Sequence, residues 1–185
     1  MCWEGGEMRK AKFGEDREVE KSVTLLASIL VRYPEVSTVN FDSKFHTLKL
    51  SFVLRGRVSP ERIKVFEEKL KDCLDAYSSL IDVKISPVCI DKVEYDDITI
   101  LEVERDVNSL TQEELSLIVA LLHEELEELV VAEYATHLLE EDMLLQEEMI
   151  ENILEDMRDA THGRSFMGYR EDGRVLVFNM NVHRL

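Results

Sequence analysis

The chain has 185 residues, of which 45% are hydrophobic and 33% charged, and a formal net charge of −17. This length and hydrophobic fraction suit one folded domain with at most a small appendage. The charge argues against free nucleic acid as a partner, because phosphate binding needs clustered Lys and Arg. No apolar run reaches the ~18–20 residues that span a bilayer. We therefore expect a cytoplasmic protein that does not contact a membrane.

The negative charge is concentrated in the second half of the chain. Residues 1–100 have a net charge of −2 and residues 101–185 one of −15. The stretch from Leu110 to Met157 carries 15 acidic residues and no Lys or Arg, whereas residues 44–71 are net +5. Like charges one helical turn apart repel, so the acidic stretch favours a basic neighbour. We hypothesise that residues 44–71 face it, within one chain or between chains.

The N-terminal part of the chain predicts one helix followed by a β-hairpin. Residues 1–17 are polar and predict a flexible terminus. Apolar residues recur at helical spacing from near Val19, and Pro34 ends that helix because the residue before a proline avoids the α region. Alternating apolar and polar residues then predict a hairpin across residues 36–54.

A second helix and two further strands complete this part. Ser59 and Pro60 are typical of the N-cap and first position of a helix. Ile81–Ile85 and Ile98–Val103 read as strands. The order αββαββ is a ferredoxin-like order with its first strand moved to the end. We therefore predict an α+β fold containing a ferredoxin-like sandwich over residues 18–107.

The acidic segment, residues 108–160, predicts helix throughout, since it contains no Gly or Pro. Thr111 followed by Glu114 has the spacing of a capping box. One straight helix would be about 72 Å long, which exceeds the diameter expected of a compact chain of this size. The segment is therefore either one projecting helix or a helical hairpin that breaks near Tyr134–His137.

The last segment, residues 161–185, predicts a β-hairpin. Asp172-Gly173 is a strong signal for a two-residue turn between Ser165–Arg170 and Arg174–Met180. That turn would place Tyr169 opposite Leu176. A lone hairpin is marginal in water, so it must dock on the sheet, on the helices or on a second protomer.

Two sets of residues in the acidic segment are candidate sites. Carboxylates and imidazoles on one helix face suggest a metal site, although the spacing departs from the Glu-x-x-His of di-metal bundles. A row of mostly apolar residues at seven-residue spacing suggests a helix interface. The metal candidates are His123, Glu127, Glu133, His137 and Glu141. The interface candidates are Leu115, Leu122, Leu129, Met143, Ile150 and Met157.

The sequence favours an interaction or regulatory role over catalysis. It contains no nucleophile motif and no glycine-rich nucleotide loop, so we expect neither an enzyme nor a cofactor. The leading hypothesis is a non-enzymatic protein that self-associates through its helical segment as a homo-oligomer, with a dimer favoured and a basic protein surface as another partner. A metal-binding protein or metal-dependent enzyme is the first alternative. A small-molecule sensor using the N-terminal sandwich is the second.

Overall fold

The computed structural model describes residues 5–133, 139–158 and 163–180, with side chains from residue 16 onward. Within these ranges the chain forms four α-helices and one six-stranded antiparallel sheet, which confirms the α+β class. The helices are α1 (Gly5–Arg32), α2 (Pro60–Ile81), α3 (Gln112–Leu126) and α4 (Glu140–Met157). The strands are β1 (Val36–Asp42), β2 (Thr47–Arg55), β3 (Cys89–Glu94), β4 (Ile98–Asp106), β5 (Ser165–Glu171) and β6 (Arg174–Met180).

The strand order is β3-β4-β2-β1-β5-β6. It differs from a simple ferredoxin-like sheet because the C-terminal hairpin adds two strands beside β1. The predicted register of that hairpin is confirmed, with Tyr169 opposite Leu176. β5 pairs with β1 and places Phe166 opposite Phe41. The hairpin is thus stabilised by docking on the edge of the N-terminal strands.

The helices cover one face of the sheet. Side chains alternate along each strand, and the inward row of β2, which includes Leu48, Leu50 and Phe52, is at most 1% exposed. The opposite row, which includes Lys49, remains partly exposed. Helix α1 lies close to β5 because Gly168 has no Cβ there. An added Cβ would lie 3.0 Å from Leu30 Cδ1.

Three boundaries differ from the sequence-based expectation. Helix α1 begins at Gly5, well before Val19, because its first turns are polar and carry no apolar stripe from which a period can be read. The prediction of a strand at Ile81–Ile85 is wrong. Helix α2 continues to Ile81 and ends at Asp82, whose φ is 52°, and the strand lies at Cys89–Glu94 instead.

The acidic segment forms two helices. Helix α3 ends at Leu126 in a short 3-10 turn at Glu127–Leu129, and α4 begins at Glu140. The break predicted near Tyr134–His137 lies outside the described residues, but the described chain has already left the helix by Val130. In the described ranges, none of the helices has the length and apolar character needed to cross a membrane.

Candidate functional site

The outer face of α4 exposes apolar side chains. Leu144 is 65% exposed, Leu145 58% and Met149 40%, and Leu139, the residue before the helix, is 67% exposed. Leu145 and Met149 are one helical turn apart, so they share one side of α4. We call these four residues the α4 surface. Exposed apolar side chains grouped on one helix are typical of a surface that binds another protein.

The inner face of α4 is fixed by packing and by charge. Ile150, Leu154 and Met157 are at most 1% exposed. Glu147 accepts from Arg32 Nε at 2.7 Å, and Asp156 pairs with Lys21 at 2.7 Å. These contacts run antiparallel along α1, so they fix which side of α4 faces outward.

Acidic residues surround the α4 surface. Glu140, Glu141 and Glu148 are exposed on α4. Glu141 and Glu148 lie between Leu144 and Leu145 around the helix, given its turn of 3.6 residues. The acids of the first turn also favour the helix, because they face the positive end of its dipole. A partner that binds the α4 surface therefore contacts apolar side chains and negatively charged side chains in the same place.

The predicted row of interface residues points mostly into the chain itself. Leu115, Leu122, Ile150 and Met157 are at most 1% exposed in the core of a single protomer. Leu129 and Met143 are half-buried. The seven-residue spacing assumed one continuous helix, but the break between α3 and α4 lets both helices turn this row into the core, where α4 packs against α1 and α3. The outward leucines were missed because a buried and an exposed apolar residue look alike in sequence.

The basic stretch contacts the acidic segment within one chain. Arg62 Nη1 donates to Glu128 at 2.7 Å, and its Nη2 donates to the main-chain oxygen of Glu125 at 2.5 Å. Lys69 pairs with Glu124 at 3.3 Å and also with Glu125. These pairs link α2 to the end of α3. They also raise the pKa of Lys69, chiefly through its hydrogen bond to Glu125.

The predicted metal candidates that the structure describes do not form a metal-binding group. In the described ranges there is no group of three or more His, Cys, Asp or Glu side chains placed to hold a metal ion. His123 instead lies within hydrogen-bond distance of Glu35, which is distant in sequence. Glu127 is exposed in the 3-10 turn, Glu141 is exposed on α4, and the main chain of Glu133 donates to Pro34, while His137 lies outside the described residues.

The partner of His123 is Glu35, which sequence reasoning missed. His123 Nε2 lies 2.6 Å from Glu35 Oε1. Glu35 is 6% exposed, and its Oε2 is buried without a hydrogen-bond partner among the described residues. The two residues are 88 positions apart, and no local pattern relates them. This pair therefore links the segment between α1 and β1 to α3.

A cleft of about 360 Å³ lies on the open face of the sheet, near Asn40, Phe45 and Met180. Lys49 lies within it, 3.4 Å from Glu102 and 3.7 Å from Glu104. Partial burial alone would lower the pKa of Lys49, but the two carboxylates together raise it. The cleft therefore offers one cation and several acceptors to a small polar ligand.

Comparison with protein-family models, curated proteins and solved structures finds no similar protein.

Proposed function

We propose that this chain is a non-enzymatic interaction protein that self-associates through the outer face of its helical segment. The α4 surface carries the proposal, because Leu144 and Leu145 on α4 and Leu139 just before it are each more than half exposed, while the inner face of the helix is fixed by packing. Burying about 50–60% of one leucine contributes about 1–2 kcal/mol. A two-fold interface uses each residue twice, so these leucines can support a stable dimer.

The charge around the α4 surface gives this proposal a distinctive signature. Two copies that meet through α4 bring Glu141 and Glu148 of one copy near those of the other. Salt screens this repulsion, so dimerisation strengthens as ionic strength rises. A basic protein partner gives the opposite dependence, because its attraction to the same acids weakens in salt. The sign of the salt effect therefore separates self-association from binding to a basic surface.

Replacement of Leu145 by Glu tests the proposal directly. The wild type is expected to have twice the 21.5 kDa chain mass in light scattering at micromolar concentration, and the variant the chain mass alone. The substitution removes Leu145 from both copies of the interface, which is expected to weaken dimerisation by about 2–3 kcal/mol, or roughly 30- to 150-fold in Kd.

The matched control is Leu80→Glu, since Leu80 is 84% exposed at the end of α2, away from α4. It is expected to leave the mass unchanged. A wild type that is monomeric at 100 µM, or a Leu145→Glu variant that dimerises as the wild type does, would contradict the proposal.

A small-molecule sensor is the second candidate, favoured by the cleft around Lys49. The test is a thermal-shift screen of small anions and zwitterions on the wild type and on Lys49→Met. A ligand that raises the melting temperature of the wild type but not of the variant would support a binding site there. Equal shifts in both proteins, or none in either, would rule the cleft out.

The relation to a ferredoxin-like fold is also a proposal. Strands β1 to β4 stand in the order β3-β4-β2-β1, all antiparallel. That order results when the first strand of a ferredoxin-like sandwich is moved to its end, which supports a permuted sandwich extended by β5 and β6. The fold relation carries no functional argument, since unrelated functions share such folds.

A further inference from the structure

The two edges of the sheet differ in how they are protected. β3 carries Asp91, Lys92 and Glu94, and such charges discourage another strand from pairing. β6 forms the other edge, and from Val175 to Met180 it contains no charge, proline or glycine. Phe178 is 48% exposed and Met180 45%. Among the described residues no strand pairs with the outer side of β6.

The turn before β6 determines which of its main-chain groups face outward. Asp172 and Gly173 both have positive φ, at 49° and 72°, as in a type I′ turn. Such a turn closes with a hydrogen bond between Glu171 and Arg174. Hydrogen-bonded pairs then alternate along the ladder, so Leu176 and Phe178 bond to β5. The main-chain N–H and C=O groups of Val175, Val177 and Asn179 therefore face away from β5.

We propose that a second copy of this chain pairs antiparallel with β6 about a two-fold axis at Val177. The three outward-facing residues are symmetric about this position. Val177 therefore pairs with its own copy and Val175 with Asn179 of the second copy, through about six main-chain hydrogen bonds. An axis at Leu176 or Phe178 would pair only two of the three outward residues with each other within β6, giving about four such hydrogen bonds. A second copy matches all three outward positions and brings its own uncharged Val175–Met180 row to the pairing, which favours it as the partner strand.

The side chains and charges of β6 suit the same pairing. Leu176 of one copy lies opposite Phe178 of the other, and aromatic and aliphatic residues form favourable cross-strand pairs. Phe178 already stacks on Tyr169 with ring centroids 5.7 Å apart, so the pairing continues an apolar row across the junction. The only charged residue of β6 is Arg174. The two copies of Arg174 end about 20 Å apart, so they do not oppose association.

Cysteine cross-linking tests the register, in a background where Cys2, Cys73 and Cys89 are replaced by Ser. Val177→Cys is expected to form a disulfide-linked dimer under mild oxidation, because hydrogen-bonded partners have Cα atoms about 5.5 Å apart. Val175→Cys is the matched control. Its two copies lie about 14 Å apart in this register and are expected not to cross-link. Equal cross-linking of both variants, or of neither, would overturn the proposal.

Amide hydrogen exchange provides the second measurement. The amides of Val175, Val177 and Asn179 are expected to become protected as concentration rises, and Val177→Pro is expected to abolish this protection by removing an outward donor. Exchange of these amides that does not depend on concentration would also overturn the pairing. Both measurements are repeated with Leu145→Glu, which removes association through α4. The β6 pairing and the proposed function are therefore tested independently of each other.

Discussion

Replacing Arg105 by Met is expected to lower the free energy of unfolding by about 3–5 kcal/mol. Arg105 and Glu114 are both 0% exposed at their side chains. The guanidinium donates to both carboxylate oxygens of Glu114, and its Nη1 donates to the main-chain oxygens of Ser86 at 2.5 Å and Pro87 at 3.1 Å. The substitution leaves a buried carboxylate without its cation and two carbonyls without a donor, which accounts for the magnitude.

The double variant Arg105→Met/Glu114→Leu tests whether the loss of stability comes from the buried carboxylate that Arg105→Met leaves unpaired. It leaves no buried charge, so we expect it to recover at least half of the stability that Arg105→Met loses. The measurement is urea denaturation of the wild type, both single variants and the double variant at pH 7. A loss below about 1 kcal/mol in Arg105→Met, or a loss in the double variant equal to the sum of the two single losses, would show that the buried pair does not act as a unit.

The same pair predicts a dependence on pH. Burial raises the pKa of Glu114, and Arg105 opposes that rise. Without Arg105 the pKa in the folded protein rises further, while the unfolded chain keeps a value of about 4.3. The folded variant then binds a proton that the unfolded chain releases, so its stability falls as the pH rises above that value. Its deficit relative to the wild type is expected to be larger at pH 8 than at pH 5, and an equal deficit would contradict this.

Two further substitutions test other contacts of the fold. Gly168→Ala is expected to lower the free energy of unfolding by about 1–3 kcal/mol, because the added Cβ would meet Leu30 at 3.0 Å and Leu26 at 3.3 Å. Unchanged urea denaturation would mean that α1 can shift away from β5 without loss of stability. Arg62→Glu is expected to lower the denaturation midpoint at low salt by placing like charges together between α2 and α3. That loss should shrink at 1 M salt, and a loss independent of salt would show that the ion pairs do not cause it.

The elements that could be predicted from the sequence are those that depend on near neighbours. Asp172-Gly173 alone sets the turn and register of the last hairpin, because few residues tolerate two successive positive φ angles. Ser59 caps α2 as expected, accepting from Arg62 N at 3.3 Å. Thr111 likewise accepts from Glu114 N at 3.2 Å. Each of these signals spans four residues or fewer.

The features that could not be predicted depend on long-range contacts. Glu114 has the spacing of a capping box, but its carboxylate bonds to Arg105 on β4 instead of returning to the helix start. Glu35 and His123 meet only because the end of α1 lies beside α3 in the fold. Leu122 and Leu145 are equivalent in a hydrophobicity pattern, yet one is 0% and the other 58% exposed. Such differences follow from which face of a helix packs into the core.

Sedimentation equilibrium of the wild type at 50 mM and 500 mM salt tests whether the chain self-associates through the α4 surface. Leu145→Glu is measured beside it at both salt concentrations. The wild type is expected to form a dimer whose Kd falls as salt rises, and the variant is expected to have a Kd at least about 30-fold higher. A wild type that remains monomeric at both salt concentrations, or a dimer that salt weakens, would contradict self-association through the α4 surface.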